Sequence, residues 1–137
     1  MRLVVDANVL LSAATGGRAA LILARPDLVE GVTTASALAE VQAYAAALAR
    51  KVRLPLDTVL LAVATLPILI FDRREYTSAL PEARRRIGMR DPDDVDVLAL
   101  ALHLGVPVWS NDSDFNTAGI EWYTTAQLLK RLGLGRS

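Results

Sequence analysis

Cysteine is absent from the 137 residues, and histidine occurs once, at His103. Disulfides, thiolate zinc sites and cysteine nucleophiles are thereby excluded, and one imidazole does not make a histidine-rich metal centre. Any metal must be held by oxygen. Excess charge of either sign is also missing: 15 basic residues balance 15 acidic ones, so composition alone carries no sign of a charged partner. Long hydrophobic runs are missing too. The longest, Val59 to Phe71, is interrupted by Thr65 and Pro67 and falls well short of the roughly 20 residues a membrane span needs. Near the N-terminus, Arg2 precedes an apolar stretch broken by Asp6 and Asn8, which does not supply the unbroken segment of a signal peptide. The expectation is a chain without a membrane helix, working in the cytoplasm.

What is present is apolar character spread along the chain. Hydrophobic residues make up 53% and mean hydropathy is +0.32, so a packed core is expected rather than disorder. The length suits one domain, spanning residues 1–137. Leu3 to Val5 reads as a short buried strand that delivers Asp6 at its C-terminal end. Helical patterns follow over Val9 to Ala14 and Ala19 to Ala24, separated by Gly16-Gly17. Val29 to Thr33 suits a strand. Ser36 suits the N-cap of an alanine-rich helix to about Arg50, and Pro55 or Asp57 starts another to about Leu66. Ile68 to Phe71 reads as a second buried strand. Glu75 to Ile87 is helical in pattern, with Pro81 disturbing its first turns. Asp91-Pro92-Asp93-Asp94 opens a helix to His103 or Leu104, which Gly105 stops. Val106 to Trp109 and Glu121 to Tyr123 suit strands, and Thr125 to Leu132 a closing helix. Strands alternating with helices predict an α/β fold: a parallel sheet covered by helices on both faces.

On such a sheet, ligands gather outside the C-terminal strand ends. Asp6 follows the first strand there, and Asp112 and Asp114 follow the Val106 to Trp109 strand. Helix starts reach the same rim, which brings Asp94 and Glu40 within range. Carboxylates so gathered repel one another unless a divalent cation neutralises them. Mg²⁺ suits them, because it takes octahedral oxygen and is commonly shared between a few carboxylates and a substrate phosphate. That geometry suits phosphodiester hydrolysis.

Each acid also has an ordinary explanation. Asp91 is placed as an N-cap, and the helix dipole favours Asp93 and Asp94 whatever the protein does. Asp94 shares a helix face with Leu98 and Ala101 and is expected to point inward, whereas Asp96 lies on the side of His103 and is expected to meet water. Glu40 sits four residues after Ser36, not the three of a capping box, and can be a plain surface residue. Asp6 can cap the next helix, but a carboxylate directly after a buried strand must find partners or a metal. Asp112, Asp114 and Asn116 mimic half a calcium loop, yet Thr117 and Tyr123 stand where Gly and Glu are required, which rejects an EF-hand. Arg73, Arg74, Arg84, Arg85, Arg86 and Arg90 crowd one stretch, either as a solvated face or as a grip on phosphate.

Taken together, Leu3-Val4-Val5-Asp6-Ala7-Asn8-Val9-Leu10, Leu38-Ala39-Glu40, Asp93-Asp94-Val95-Asp96-Val97-Leu98-Ala99-Leu100-Ala101 and Val108-Trp109-Ser110-Asn111-Asp112-Ser113-Asp114-Phe115 resemble the PIN-domain nucleases, most of all the small VapC-like toxins. The resemblance spans nearly the whole chain in order. It implies a three-layer α/β/α sandwich and a Mg²⁺- or Mn²⁺-dependent endoribonuclease. Asp6, Glu40, Asp94 and Asp112 are implied as catalytic metal ligands, Asp114 as an accessory ligand, and Asn8, Ser110 and Asp93 as polar supports. It further implies an RNA substrate with unpaired segments, an antitoxin partner and a homodimer. Arg84, Arg85 and Arg86 are expected to touch the RNA backbone, and Tyr44, Tyr76, Trp109, Trp122 and Tyr123 are candidates for stacking bases, with Trp109 better suited to the core. Two other classes remain. One is a catalytically silent PIN-like module that binds RNA or protein, against which the four intact acids argue. The other is a phosphatase or phosphotransfer domain, which needs an Asp where Asn8 stands or a Lys where Ser110-Asn111 stand.

Overall fold

The computed structural model describes residues 1–88 and 92–135, apart from the side chains of residues 92 and 93. Its elements run β1 (Arg2–Val5), α1 (Ala7–Ala14), α2 (Ala19–Leu23), β2 (Glu30–Thr34), α3 (Ala35–Val52), α4 (Leu56–Ala64), β3 (Ile68–Phe71), α5 (Leu80–Ile87), α6 (Pro92–Leu104), β4 (Val108–Trp109), β5 (Trp122–Tyr123) and α7 (Thr125–Arg131). The strands form one sheet in the order β3-β2-β1-β4-β5, and every neighbouring pair is parallel. From β1 the chain winds outward through β2 to β3, then crosses back over both to reach β4. Right-handed crossovers running in opposite directions put their helices on opposite faces, which makes the three-layer α/β/α sandwich.

Being covered on both faces, the central strands carry apolar residues in succession rather than in alternation. Leu3, Val4, Val5, Val32, Val108 and Trp109 have no exposed surface. The indole N–H of Trp109 is satisfied inside the core by Thr125 Oγ1 at 3.0 Å. α6 lies against β1, β2 and β4, and from Val95 to Ala101 it is buried all round. Such a helix is apolar on every side because it has no solvent face. Gly105, at φ +67, ends it in the left-handed conformation that its position predicts.

Four expectations need correction. β3 is not a buried strand: it pairs only with β2, so it forms the sheet edge, and Leu69 and Ile70 are 53% and 48% exposed. A lone apolar run looks the same at an edge as at the centre. Thr34, not Ser36, caps α3, its Oγ1 accepting from Ala37 N–H at 3.0 Å. The segment before α5 is two short 3₁₀ turns, Arg73–Glu75 and Thr77–Ala79; Pro81 then falls in the first helical turn, where a missing N–H costs nothing. Asp96 does not meet water. It is 8% exposed and accepts a 2.5 Å hydrogen bond from the hydroxyl of Tyr76, itself fully buried, with Arg73 Nε 3.6 Å away. The expected N-cap Asp91 lies outside the described residues.

Burial first, then the hydrogen bond to Asp96 and its negative charge, raise the pKa of Tyr76 far above that of a free phenol. A raised folded-state pKa favours the protonated form, so this contribution to stability is fully present below the ordinary tyrosine value of about 10 and is lost only as pH climbs through the raised one. Alkaline absorbance titration should therefore show one tyrosine that ionises only as the protein unfolds. Tyr76→Phe should remove that component and, by taking a hydrogen bond from a buried carboxylate, cost about 1.5–3 kcal/mol. Identical late titration in wild type and variant would contradict the assignment.

Candidate metal-binding cleft

The order of strands reverses between β1 and β4, and at their C-terminal ends the two diverging crossovers leave a crevice, the usual ligand position on such sheets. A cleft of about 230 Å³ opens there, lined by Asp6, Ala7, Asn8, Leu11, Glu40, Tyr44, Asp94 and Asp112. The four acids come from four segments. Asp6 ends β1, Glu40 projects from α3, Asp94 stands in the first turn of α6, and Asp112 follows β4. α3 and α6 touch each other, which is what brings Glu40 and Asp94 to one place.

Asp6 is 7% exposed and held from several directions. Its Oδ1 accepts from Ala7 N–H at 2.8 Å, so it does cap α1. Its Oδ2 accepts from Ser110 Oγ at 2.8 Å and from Asn8 Nδ2 at 3.2 Å. Capping and cleft position are therefore held by the same carboxylate. The fully buried hydroxyl of Ser110 in turn accepts from Asp112 N–H at 3.1 Å, which ties the loop after β4 to the end of β1. Asn8 Oδ1 accepts from Asn111 N–H at 3.2 Å, and Asn111 Oδ1 accepts from Thr125 N–H at 2.8 Å. Asn111 was not among the expected supports; its place inside the Ser-Asn-Asp motif was the available signal. Asp94 is 6% exposed, and the N-terminal end of α6 supplies a favourable dipole for its charge. Glu40 is half-buried and Asp112 exposed.

The remaining expected residues lie elsewhere. Asp114 is half-buried and does not line the cleft; its N–H donates to Asp112 Oδ1 at 3.1 Å, within a 3₁₀ turn anchored by buried Phe115. The side chain of Asp93 is outside the described residues. Arg84, Arg85 and Arg86 do not line the cleft either. Arg85 pairs with Glu82, while Arg86 pairs with the same Glu82 at 2.8 Å and donates to the carbonyls of Ala118 and Gly119. Arg84 shares a separate open concavity of about 400 Å³ with Arg73, Thr77, Leu80 and Pro81. Trp109 and Tyr76 are core residues, as buried rings with satisfied polar atoms.

As donors the cleft offers oxygen only, and no described His stands near it. Four carboxylates with a polar rim suit a hard divalent cation. Among the described residues no three acids are yet close enough together to ligate one ion as they stand. Asp6 is held by three hydrogen bonds, and Asp112 Oδ1 accepts one from Asp114 N–H.

A parallel α/β sandwich with an acidic cleft at its strand-order reversal defines the class. The chain belongs to the PIN domain family, whose model matches residues 4–133. No curated protein matches its sequence. Among solved structures the fold is similar to a chain of VapBC2 from Rickettsia felis, bound to a DNA fragment from its promoter, with TM-score 0.66 and 14% identity over 90% of this chain and 98% of that one. It is also similar to a chain of FitAcB from Neisseria gonorrhoeae, with TM-score 0.60 and 18% identity over 92% and 99%. A chain of FitAB bound to an IR36 DNA fragment gives TM-score 0.58 and 19% identity over 91% and 95%. Among the described residues no helix is long and apolar enough to cross a membrane.

Because Ser110 gives Asp6 one of its hydrogen bonds and receives one from Asp112, Ser110→Ala leaves a buried carboxylate oxygen under-satisfied. Urea unfolding should show a loss of about 1–3 kcal/mol. A loss below about 0.5 kcal/mol, the range of an ordinary surface change, would mean that this tie contributes nothing.

Proposed function

We propose that the protein is a metal-dependent endoribonuclease, hydrolysing RNA phosphodiester bonds in the cytoplasm as the toxin of a toxin–antitoxin pair. The observation that carries this reading is the convergence of Asp6, Glu40, Asp94 and Asp112, from four segments, on one cleft of a PIN-family fold. Asp6, Glu40, Asp94 and Asp112 would hold Mg²⁺ or Mn²⁺ there, with Asn8 and Ser110 keeping Asp6 in place. A divalent cation so held supplies acidity to a water and neutralises charge on a leaving oxygen. The chain itself contributes rigidity, through the bonded Asp6, the helix-borne Glu40 and Asp94, and an Asp112 tied back to Ser110 through its N–H.

An apolar cleft of about 330 Å³ between α3, α4 and β3 supports a protein partner such as an antitoxin or a second copy. Leu38, Leu60, Val63, Leu66 and Ile70 line it, and exposed Leu61 and Leu69 lie on the same elements. Exposed apolar patches of this kind mark interaction surfaces. Fold likeness to chains of VapBC2 and FitAB supports the same reading. For the RNA backbone, Arg84 is better placed than Arg85 or Arg86, whose guanidinium groups are already occupied by Glu82 and, for Arg86, backbone carbonyls.

Purified protein should cut a mixed structured RNA with Mg²⁺ or Mn²⁺ and not with EDTA. Asp6→Asn and Asp94→Asn should each lower the rate by more than the roughly 10–100-fold typical of losing a group behind a metal ligand. If no cation binds by calorimetry and no metal supports cutting, the silent binding-module reading replaces this one. Arg84→Ala should weaken RNA binding and reduce the slope of log affinity against log salt by about 0.7, one single-strand phosphate contact. An unchanged slope would remove Arg84 from the interface.

A further inference from the structure

Tyr44 lies on α3 one turn beyond Glu40 and lines the acidic cleft, yet it is 57% exposed. Few rings in this chain are so placed. Tyr76, Trp109 and Phe115 are fully buried, and Tyr123 lies under Arg131, whose guanidinium carbon is 5.2 Å from the ring centroid. Among the described residues Tyr44 has no such cation over it. Its neighbours on the same helix face are Glu40, Val41, Ala47 and Leu48, of which Val41 is buried and the exposed Ala47 is too short to reach over the ring. With Ala7 and Leu11, the ring gives the cleft apolar lining beside its carboxylates, which ion binding alone does not need.

The spacing suits a nucleotide. Four residues separate Glu40 from Tyr44, about 6 Å along the helix axis. A phosphate brought to the carboxylates leaves an adjoining base within reach of the ring. We infer that Tyr44 is a nucleobase platform, stacking the base next to the scissile phosphate. This inference rests on the nuclease reading and deepens it, because it names a residue that discriminates unpaired from paired RNA. A base inside a duplex is already stacked on its neighbours and is not offered to a side chain, so the platform selects unpaired RNA. Every base has a π-face, so the selection is for single strands rather than for one sequence.

The test compares wild type with Tyr44→Ala, Tyr44→Phe and Tyr44→Leu. Binding of a labelled single-stranded RNA and of its blunt duplex is read by anisotropy with Ca²⁺ in place of Mg²⁺, the RNA being checked on a gel for integrity. Cleavage kinetics are read with Mg²⁺ or Mn²⁺. Loss of one stacked base weakens affinity about 5- to 150-fold. Tyr44→Ala should fall in that range for the single strand, Tyr44→Leu should recover little, and Tyr44→Phe should stay near wild type. The loss should appear in KM more than in kcat, with duplex binding unmoved and the thermal midpoint retained, since the ring is mostly exposed. Equal single-strand affinity in wild type and Tyr44→Ala overturns the platform and leaves the nuclease reading standing. Restoration by Leu as fully as by Phe also overturns it, showing plain apolar contact. A wild type that binds neither RNA nor cation overturns the nuclease reading and this inference with it.

Discussion

A carboxylate buried at the end of the central strand is costly unless its oxygens are hydrogen-bonded. Asp6 meets that requirement with groups from both sides of the sheet's strand-order reversal: Ala7 and Asn8 at the start of α1, and Ser110 at the end of β4. The need for partners thus joins the two segments that diverge at the crevice. Bonds from Asn8 to Asn111, and from Asn111 to Thr125, extend the tie to the start of α7. The floor of the cleft is consequently a connected network rather than a loop surface. Functional groups carried on such a frame keep their geometry without help from a ligand.

A second frame serves the opposite wall. From Asp94 to Ala101 α6 is buried on all sides, and Asp96 within it is reached by Tyr76 from the 3₁₀ segment after β3. This buried pair fastens the beginning of α6 where Asp94 emerges. Glu40 comes from α3, which touches α6 directly, so the fourth acid depends on helix packing and not on the sheet. The cleft accordingly combines two nearly buried acids with one half-buried and one exposed.

The arginine-rich stretch shows how local packing divides residues that look alike. Glu82 lies three and four residues before Arg85 and Arg86 and engages both, and Arg86 also clips the loop carbonyls of Ala118 and Gly119. Arg84 faces another side of the same helix, toward Arg73. Three consecutive arginines therefore serve a helix surface, a loop clip and an open concavity.

The parallel α/β architecture and the rim position of Asp6 were legible from residue order, because both follow from local rules, whereas the same rules put Asp114 at that rim and the cleft leaves it out. Apolar runs ending in a carboxylate mark strands that deliver charge to one rim, and strands separated by helices must pair in parallel. Hydrophobic runs carry no record of how many neighbours a strand will have, which is why Ile68 to Phe71 read as buried and proved to be an edge. Helical spacing likewise assigned Asp96 to water, since a period names a side of a helix but not whether that side faces solvent. The capping of α3 by Thr34, the bonding of Asn111 and the occupation of Arg85 and Arg86 depend on partners close in space. The sequence by itself determined which chemistry is available: oxygen donors at a strand rim, with neither thiol nor histidine cluster. Only the tertiary structure decided which of those donors share a cleft and which cations remain open to solvent, because sheet order and helix contact, not spacing along the chain, set those distances.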